Sequence, residues 1–254
     1  MIKLKNVFSG YNGVTKLDNI SLYIPDNRFV AVIGVNGSGK STLLRTLANL
    51  LSFDGNIEYD NQKLVKMERN IRAKHISFLP QARDAPNITV QALIEHGRHP
   101  YLGFTKKMNS TDYLLVNQVA EQMGVQALLH RFVNTLSGGE RQRVYLAMLL
   151  AQDCKYVLLD EPTTYLDINA QIEVMNLIRF MHELGKTVIV AMHDLQQAFT
   201  YAQDICILNT GKLVCYNTPD SIETKDAISS IYGLSIKKND EPHALMQYSL
   251  FFNK

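Results

Sequence analysis

The eight residues Gly34-Val35-Asn36-Gly37-Ser38-Gly39-Lys40-Ser41 fit the pattern G-x-x-x-x-G-K-[ST]. Glycines at these positions let backbone N–H groups turn inward around an anion. Lys40 is placed to reach the β- and γ-phosphates of a nucleotide, and the Ser41 hydroxyl to ligate magnesium. A chance match in a chain this long is on the order of 1%, so the flanking residues decide between a phosphate loop and a tight turn. They are an apolar run at 29–33, a buried strand, and a helix expected over 41–51. The start of a helix adds its positive end to the same site. The expected chemistry is the binding and hydrolysis of Mg-ATP. Asn36, Gly37, Ser38, Gly39, Lys40, Ser41 and Thr42 would surround the phosphates.

A second site lies at the end of the apolar strand 156–160, where Asp160 and Glu161 stand side by side before Pro162. Side chains alternate faces along a strand, so adjacent acids point differently and can do different work. Asp160 is suited to the magnesium shell and Glu161 to polarising the attacking water. His193 ends another apolar strand, 187–192. In a parallel sheet the strand C-termini line the ligand crevice, and a histidine there can contact the γ-phosphate.

Leu136-Ser137-Gly138-Gly139-Glu140-Arg141-Gln142 precedes a strongly apolar helix. Ser137 and Glu140 form a capping box, which leaves the two glycines unexplained. Each costs up to about 1 kcal/mol against alanine early in a helix. Close backbone approach to an anion at a helix N-terminus would offset that. The chain then carries two phosphate-binding devices, of which only one has the lysine and magnesium chemistry. A head-to-tail dimer resolves this, with Ser137–Gly139 of each copy capping the γ-phosphate held by the other.

The elements that position these residues alternate. Strands are expected over 3–8, 20–24, 29–33, 55–59 and 75–79. Residues 82–136 lose the strand pattern and show helical stretches at 90–96 and 111–123. Helices at 140–152, 169–184 and 194–202 then alternate with strands at 156–159 and 187–191, and a hairpin at 205–215 turns at Thr210-Gly211. This order argues for a largely parallel sheet covered on both faces. The chain has 254 residues, 46% hydrophobic and 20% charged, with a net charge of +2. That suits one large domain and points away from nucleic acid or a polybasic membrane surface. Cys154, Cys206 and Cys215 fit no metal motif and read as reduced, mostly buried thiols of a cytosolic protein. No apolar run approaches the ~18 residues of a membrane span, so the chain reads as soluble by itself.

In their order these motifs resemble the nucleotide-binding subunit of ATP-binding cassette (ABC) transporters, over about residues 1–235. Residues 34–41 are similar to the Walker A loop, Gln81 to the Q-loop glutamine and 136–142 to the signature. Residues 156–160 resemble Walker B, with Glu161 as its catalytic glutamate. The D-loop would end at Leu166-Asp167, and His193 would be the switch histidine. Tyr11, in Gly10-Tyr11-Asn12-Gly13, resembles the aromatic that stacks on adenine. The resemblance implies an α/β P-loop NTPase (ABC ATPase) with a mainly parallel sheet core, an N-terminal antiparallel β part and an inserted helical subdomain. The core would be 1–81 and 155–235, the subdomain 82–154, and the tail 236–254. ATP and Mg²⁺ are the implied cofactors, with Ser41, Gln81 and Asp160 at the metal. Lys40, Gln81, Glu161 and His193 would be catalytic, in a homodimer.

The chain has one cassette, no fused membrane segment and no long heptad arm, which leaves a stand-alone importer subunit. Gly97-Arg98-His99-Pro100-Tyr101 resembles a stretch found in ATPases that power iron–siderophore, haem and cobalamin uptake. Residues 170–173 and 193–198 are similar to the same subgroup. The implied partners are integral-membrane permease subunits, met near 81–98 at the cytoplasmic face of the inner membrane. An extracytoplasmic substrate-binding protein is implied indirectly, and no nucleic acid. As plain chemistry, Arg98 and Tyr101 are also compatible with surface residues flanking a proline turn. Val35 replaces a common proline, and Thr164-Tyr165 is a D-loop variant. Three alternatives remain open: a P-loop small-molecule kinase, a nucleotide-gated module without turnover, and an importer for a bare metal ion such as zinc or manganese or a lipid-related importer. No further C-terminal regulatory domain is expected.

Overall fold

The computed structural model describes residues 1–81, 84–102, 107–239 and 247–252. Period-two burial sets its first strands. β1 (Ile2–Tyr11) and β2 (Val14–Ile24) turn Ile2, Leu4, Val7, Leu17, Ile20 and Ile24 inward. Asn12 and Gly13 join them at φ 49° and 76°, the backbone of a type I′ hairpin turn. β3 (Phe29–Ile33), buried throughout, leads to α1 (Lys40–Leu47). β4 (Phe53–Tyr59) and β5 (Gln62–Lys63) complete an antiparallel sheet of order β2-β1-β4-β5. Then come α2 (Arg69–His75), β6 (Ile76–Leu79), α3 (Val90–His96), α4 (Ser110–Gln122), α5 (Gly138–Ala151), β7 (Tyr156–Asp160) and α6 (Ile168–Glu183). β8 (Thr187–Ala191), α7 (Leu195–Tyr201), β9 (Asp204–Asn209), β10 (Lys212–Asn217), α8 (Ile222–Tyr232), β11 (Leu234–Lys238) and β12 (Tyr248–Phe252) close the chain.

Two compact units result, residues 1–67 with 187–254 and residues 68–186. In the first, β3 lies between β8 and β9 and runs parallel to both, while β10 is antiparallel to β9. In the second, β6 and β7 are parallel, in register from Ile76↔Tyr156 to Leu79↔Leu159, with α5 packed on β6. The boundaries at 82 and 154 read from the sequence fall inside this second unit. The fold class is the expected one: parallel central strands, an antiparallel N-terminal part and a run of helices before β7. α1 stops four residues earlier than its apolar pattern suggests. Asn49 adopts φ 57°, and its N–H turns back to the Thr46 carbonyl, a left-handed stop.

Just ahead of β3, Arg28 grips Asp204 at the start of β9. Its Nε donates to Oδ2 at 2.6 Å and its Nη2 to Oδ1 at 2.5 Å, and the Tyr216 hydroxyl donates to Oδ2 at 2.9 Å. Asp204→Ala would leave both donors without their acceptor. The Arg28 side chain keeps 32% of its exposure, so water softens the loss. We expect about 2 kcal/mol, below the 3–5 kcal/mol of a fully buried broken pair. A lower urea midpoint at unchanged slope would measure it.

Candidate functional site

In the first unit, β3 delivers the chain into the loop before α1. Gly39 holds φ +105, and a Cβ there would lie 2.9 Å from Leu17 Cδ2, so the turn into the helix requires glycine. Lys40 is 6% exposed, and its Nζ donates to the Gly34 carbonyl at 2.9 Å and to that of Val35 at 3.4 Å. The ammonium thus curls over the loop that precedes it. Ser38 Oγ is buried without a hydrogen-bond partner among the described residues, and a phosphate oxygen would supply one. α1 has no side-chain N-cap and no acid in its first turn. By contrast Thr89, Asn109, Ser137, Asp167, Asp194 and Ser221 cap α3 to α8. A free N-terminal end with a cation beside it fits an anion. Asn36 and Gly37 are exposed, Ser41 half-buried and Thr42 buried. Arg45 on α1 donates to the Tyr11 hydroxyl at 3.4 Å, which ties Tyr11, at the hairpin tip, to the helix after the loop. His193 is exposed beyond β8, and Asp194 next to it caps α7 by accepting from the Gln197 N–H at 3.0 Å.

The second unit holds the acids. Asp160 is the last residue of β7 and is 2% exposed. Strand alternation ends there, because Glu161 takes φ +50. For a residue with a side chain the left-handed region costs about 1–2 kcal/mol, and such strain collects where geometry serves function. Two donors converge on its carboxylate. Gln81 Nε2 reaches Glu161 Oε2 at 2.7 Å, and Thr164 Oγ1 the same oxygen at 3.2 Å. Gln81 therefore meets the glutamate, a contact across eighty positions that no local pattern announces.

The capping box at α5 is present: the Ser137 N–H donates to Glu140 Oε2 at 2.9 Å, and the Glu140 N–H to Ser137 Oγ at 3.3 Å. The Ser137 backbone holds the Glu140 carboxyl below the usual carboxylate range. The glycines also have a packing role that the sequence reading missed. A Cβ on Gly138 would sit 3.2 Å from Leu166 Cδ2, and one on Gly139 3.0 Å from Ala170 Cβ. The Ser-Gly-Gly turn thus lies directly against residues 166–170. A cleft of about 420 Å³ opens between them, lined by Ser137, Gly139, Glu140, Asp167 and Asn169, with Tyr165 at its rim.

In the stretch at 97–101, His99 is exposed and Pro100 and Tyr101 are half-buried, whereas Arg98 does not lie on the surface. Arg98 is 9% exposed. Its Nε donates to Asp112 Oδ1 at 3.0 Å, its Nη1 to the Ala151 carbonyl at 2.8 Å, and its guanidinium lies 4.0 Å from the centre of the Tyr101 ring. It ties α3, α4 and α5 together, so this side chain serves the packing of those helices. Burial pushes the Cys154 and Cys206 thiols up to about 12, and Cys215 is half-buried. Among the described residues no helix is long and apolar enough to cross a membrane.

Residues 17–164 match the family model described as ABC transporter. Over 238 residues the chain is 40% identical to the ferric enterobactin transport ATP-binding protein FepC of Escherichia coli (strain K12), spanning 92% of this chain and 88% of that protein. It is 37% identical to the petrobactin import ATP-binding protein FpuC of Bacillus anthracis over 239 residues, 93% of this chain and 88% of that one. Among solved structures, a dimeric ATP-binding cassette in a post-hydrolysis state, bound to ADP and Pi, superposes with a TM-score of 0.76 at 28% identity. The match covers 87% of this chain and all of the other.

Proposed function

The chain belongs to the ABC transporter family, and from that premise we propose that it is the ATP-hydrolysing subunit of an importer for an iron–siderophore complex. The 40% identity to an enterobactin transport subunit over nearly the whole chain is the observation that carries the cargo class. The loop, the acid pair and the Ser-Gly-Gly turn carry the chemistry. Tyr11 stacks on adenine. The backbone of 36–39, with Ser38 Oγ, Lys40 and Thr42, holds the phosphates. Magnesium arriving with ATP supplies charge neutralisation, and Ser41, Gln81 and Asp160 are the residues that would hold it. Glu161, aimed by Gln81 and Thr164, takes the proton of the attacking water, and His193 hydrogen-bonds the γ-phosphate. A second copy, head to tail, presents Ser137, Gly138 and Gly139 to that phosphate. The helices between 82 and 154 pass the resulting motion to permease subunits at the cytoplasmic face of the membrane. An extracytoplasmic binding protein supplies the cargo.

Phosphate release by the purified chain without an added acceptor separates hydrolysis from kinase chemistry. A strain lacking this chain should fail to grow on ferric siderophore as sole iron source and still grow on haem. Growth on the siderophore with loss on haem, or a cobalamin requirement, would reassign the cargo. Gly139→Ala tests the turn. A methyl 3.0 Å from Ala170 Cβ displaces it, so the maximal rate should fall about tenfold. Binding of a fluorescent ATP analogue to the single chain should be unchanged, since that contact is made in the other copy's site.

A further inference from the structure

The segment after residue 221 has no part in the mechanism above, yet it touches two elements that carry it, all within the first unit. α8 lies over β9 and β10 and ends at Tyr232, closed by Gly233 in a left-handed cap. The Tyr232 hydroxyl lies close to the backbone of Gly34, the residue where β3 enters the phosphate loop. Beyond Gly233, β11 and β12 pair antiparallel from Leu234↔Phe252 to Lys238↔Tyr248. A two-stranded hairpin is marginal alone, so its place depends on what it docks against, and that is α7. Tyr248 is 4% exposed and packs edge-on against Phe199, ring centres 5.6 Å apart and planes at 69°. Beside it the Gln247 N–H donates to Thr200 Oγ1 at 3.1 Å.

α7 has seven residues, well short of the ~12–15 at which an isolated helix becomes stable in water. Its position is therefore set by its neighbours. Its N-cap, Asp194, is the residue after His193, and Phe199 and Thr200 lie one to two turns further on. Whatever holds Phe199 fixes the direction from which the chain leaves His193.

We propose that Tyr248 is a positioning residue for His193. The C-terminal hairpin clamps α7 and so holds the imidazole where it meets the γ-phosphate, while Tyr232 steadies the phosphate loop from the same segment. This rests on the hydrolytic reading above. The full chain is compared with Tyr248→Ala, Tyr248→Phe and Tyr232→Phe for phosphate release, affinity for a fluorescent ATP analogue, and amide exchange of peptides over 194–201. Tyr248→Ala should lower kcat about tenfold, leave KM for ATP within about twofold, and raise exchange at 194–201. Tyr248→Phe keeps the ring and should restore all three. Tyr232→Phe should instead act on nucleotide affinity, by no more than about threefold, with little change in kcat. An unchanged kcat in Tyr248→Ala overturns the clamp. So does a joint fall of kcat, ATP affinity and melting temperature in Tyr248→Ala, since that marks plain packing. If the unaltered chain binds ATP and releases no phosphate, the hydrolytic reading fails. The exchange result then decides the clamp alone, and unchanged protection of 194–201 in Tyr248→Ala sinks it.

Discussion

Glu161→Gln is expected to slow phosphate release by about 10²–10⁴-fold, the usual contribution of a positioned general base, while ATP still binds. The substitution changes little else. A glutamine side-chain oxygen still accepts from Gln81 Nε2 and Thr164 Oγ1, which now reach Glu161 at 2.7 and 3.2 Å. The left-handed backbone at φ +50 is no worse for glutamine than for glutamate. What disappears is the ability to take a proton. Binding without turnover should then hold two copies together around ATP, and sedimentation with ATP should show a dimer that dissociates when nucleotide is removed. Hydrolysis at the parent rate would move the base elsewhere. Gln81→Ala removes an aiming donor and a proposed magnesium ligand together but keeps the base. It leaves the carboxylate and removes its shortest donor, so it should lower kcat by less than Glu161→Gln does.

What could be read in the sequence was whatever a short stretch explains by itself. The glycines and lysine of 34–41, the acids at the end of β7 and the Ser137–Glu140 capping box are each complete within eight residues. The fold class followed from the alternation of strands and helices. What escaped depends on partners distant in the chain. Gly138 and Gly139 pack on Leu166 and Ala170, about thirty positions on, so their need for a missing Cβ cannot be seen locally. Arg98 is sequestered by Asp112 and Ala151, whereas a Pro-Tyr turn alone suggests a surface. Some misses did have a local signal. Asn12-Gly13 between two alternating runs is a strong hairpin mark and would have lengthened β1 and β2. Ser221 and Gly233 are the cap residues that frame α8. The β11–β12 hairpin was not read from the sequence, because its strands have only five residues each and the tail after Lys237 shows a mixed pattern.

Lys40→Met is expected to weaken ATP binding by about 10²-fold or more, with a modest loss of stability in the unliganded protein. Methionine roughly fills the buried stem and removes only the ammonium. Without nucleotide, that ammonium satisfies the carbonyls of Gly34 and Val35. Val35 is exposed and its oxygen can turn to water, whereas Gly34 is buried, so losing that bond costs about 1–3 kcal/mol. With nucleotide bound, the same group faces the β- and γ-phosphates, and no other cation of the loop 34–42 can replace it. Truncating one member of such a buried charged pair costs about 2–5 kcal/mol, the origin of the affinity loss. The measurement is thermal. A ligand at a hundred times its Kd stabilises the folded state by about 2.7 kcal/mol, so ATP should raise the parent Tm by several degrees. Lys40→Met should show almost none of that rise at the same ATP concentration. A full shift in Lys40→Met would mean that the backbone N–H groups and the uncapped end of α1 hold the phosphates without the lysine. The loop would then bind anions by its backbone alone, and the role of Lys40 would be confined to the transition state, visible in kcat and not in affinity.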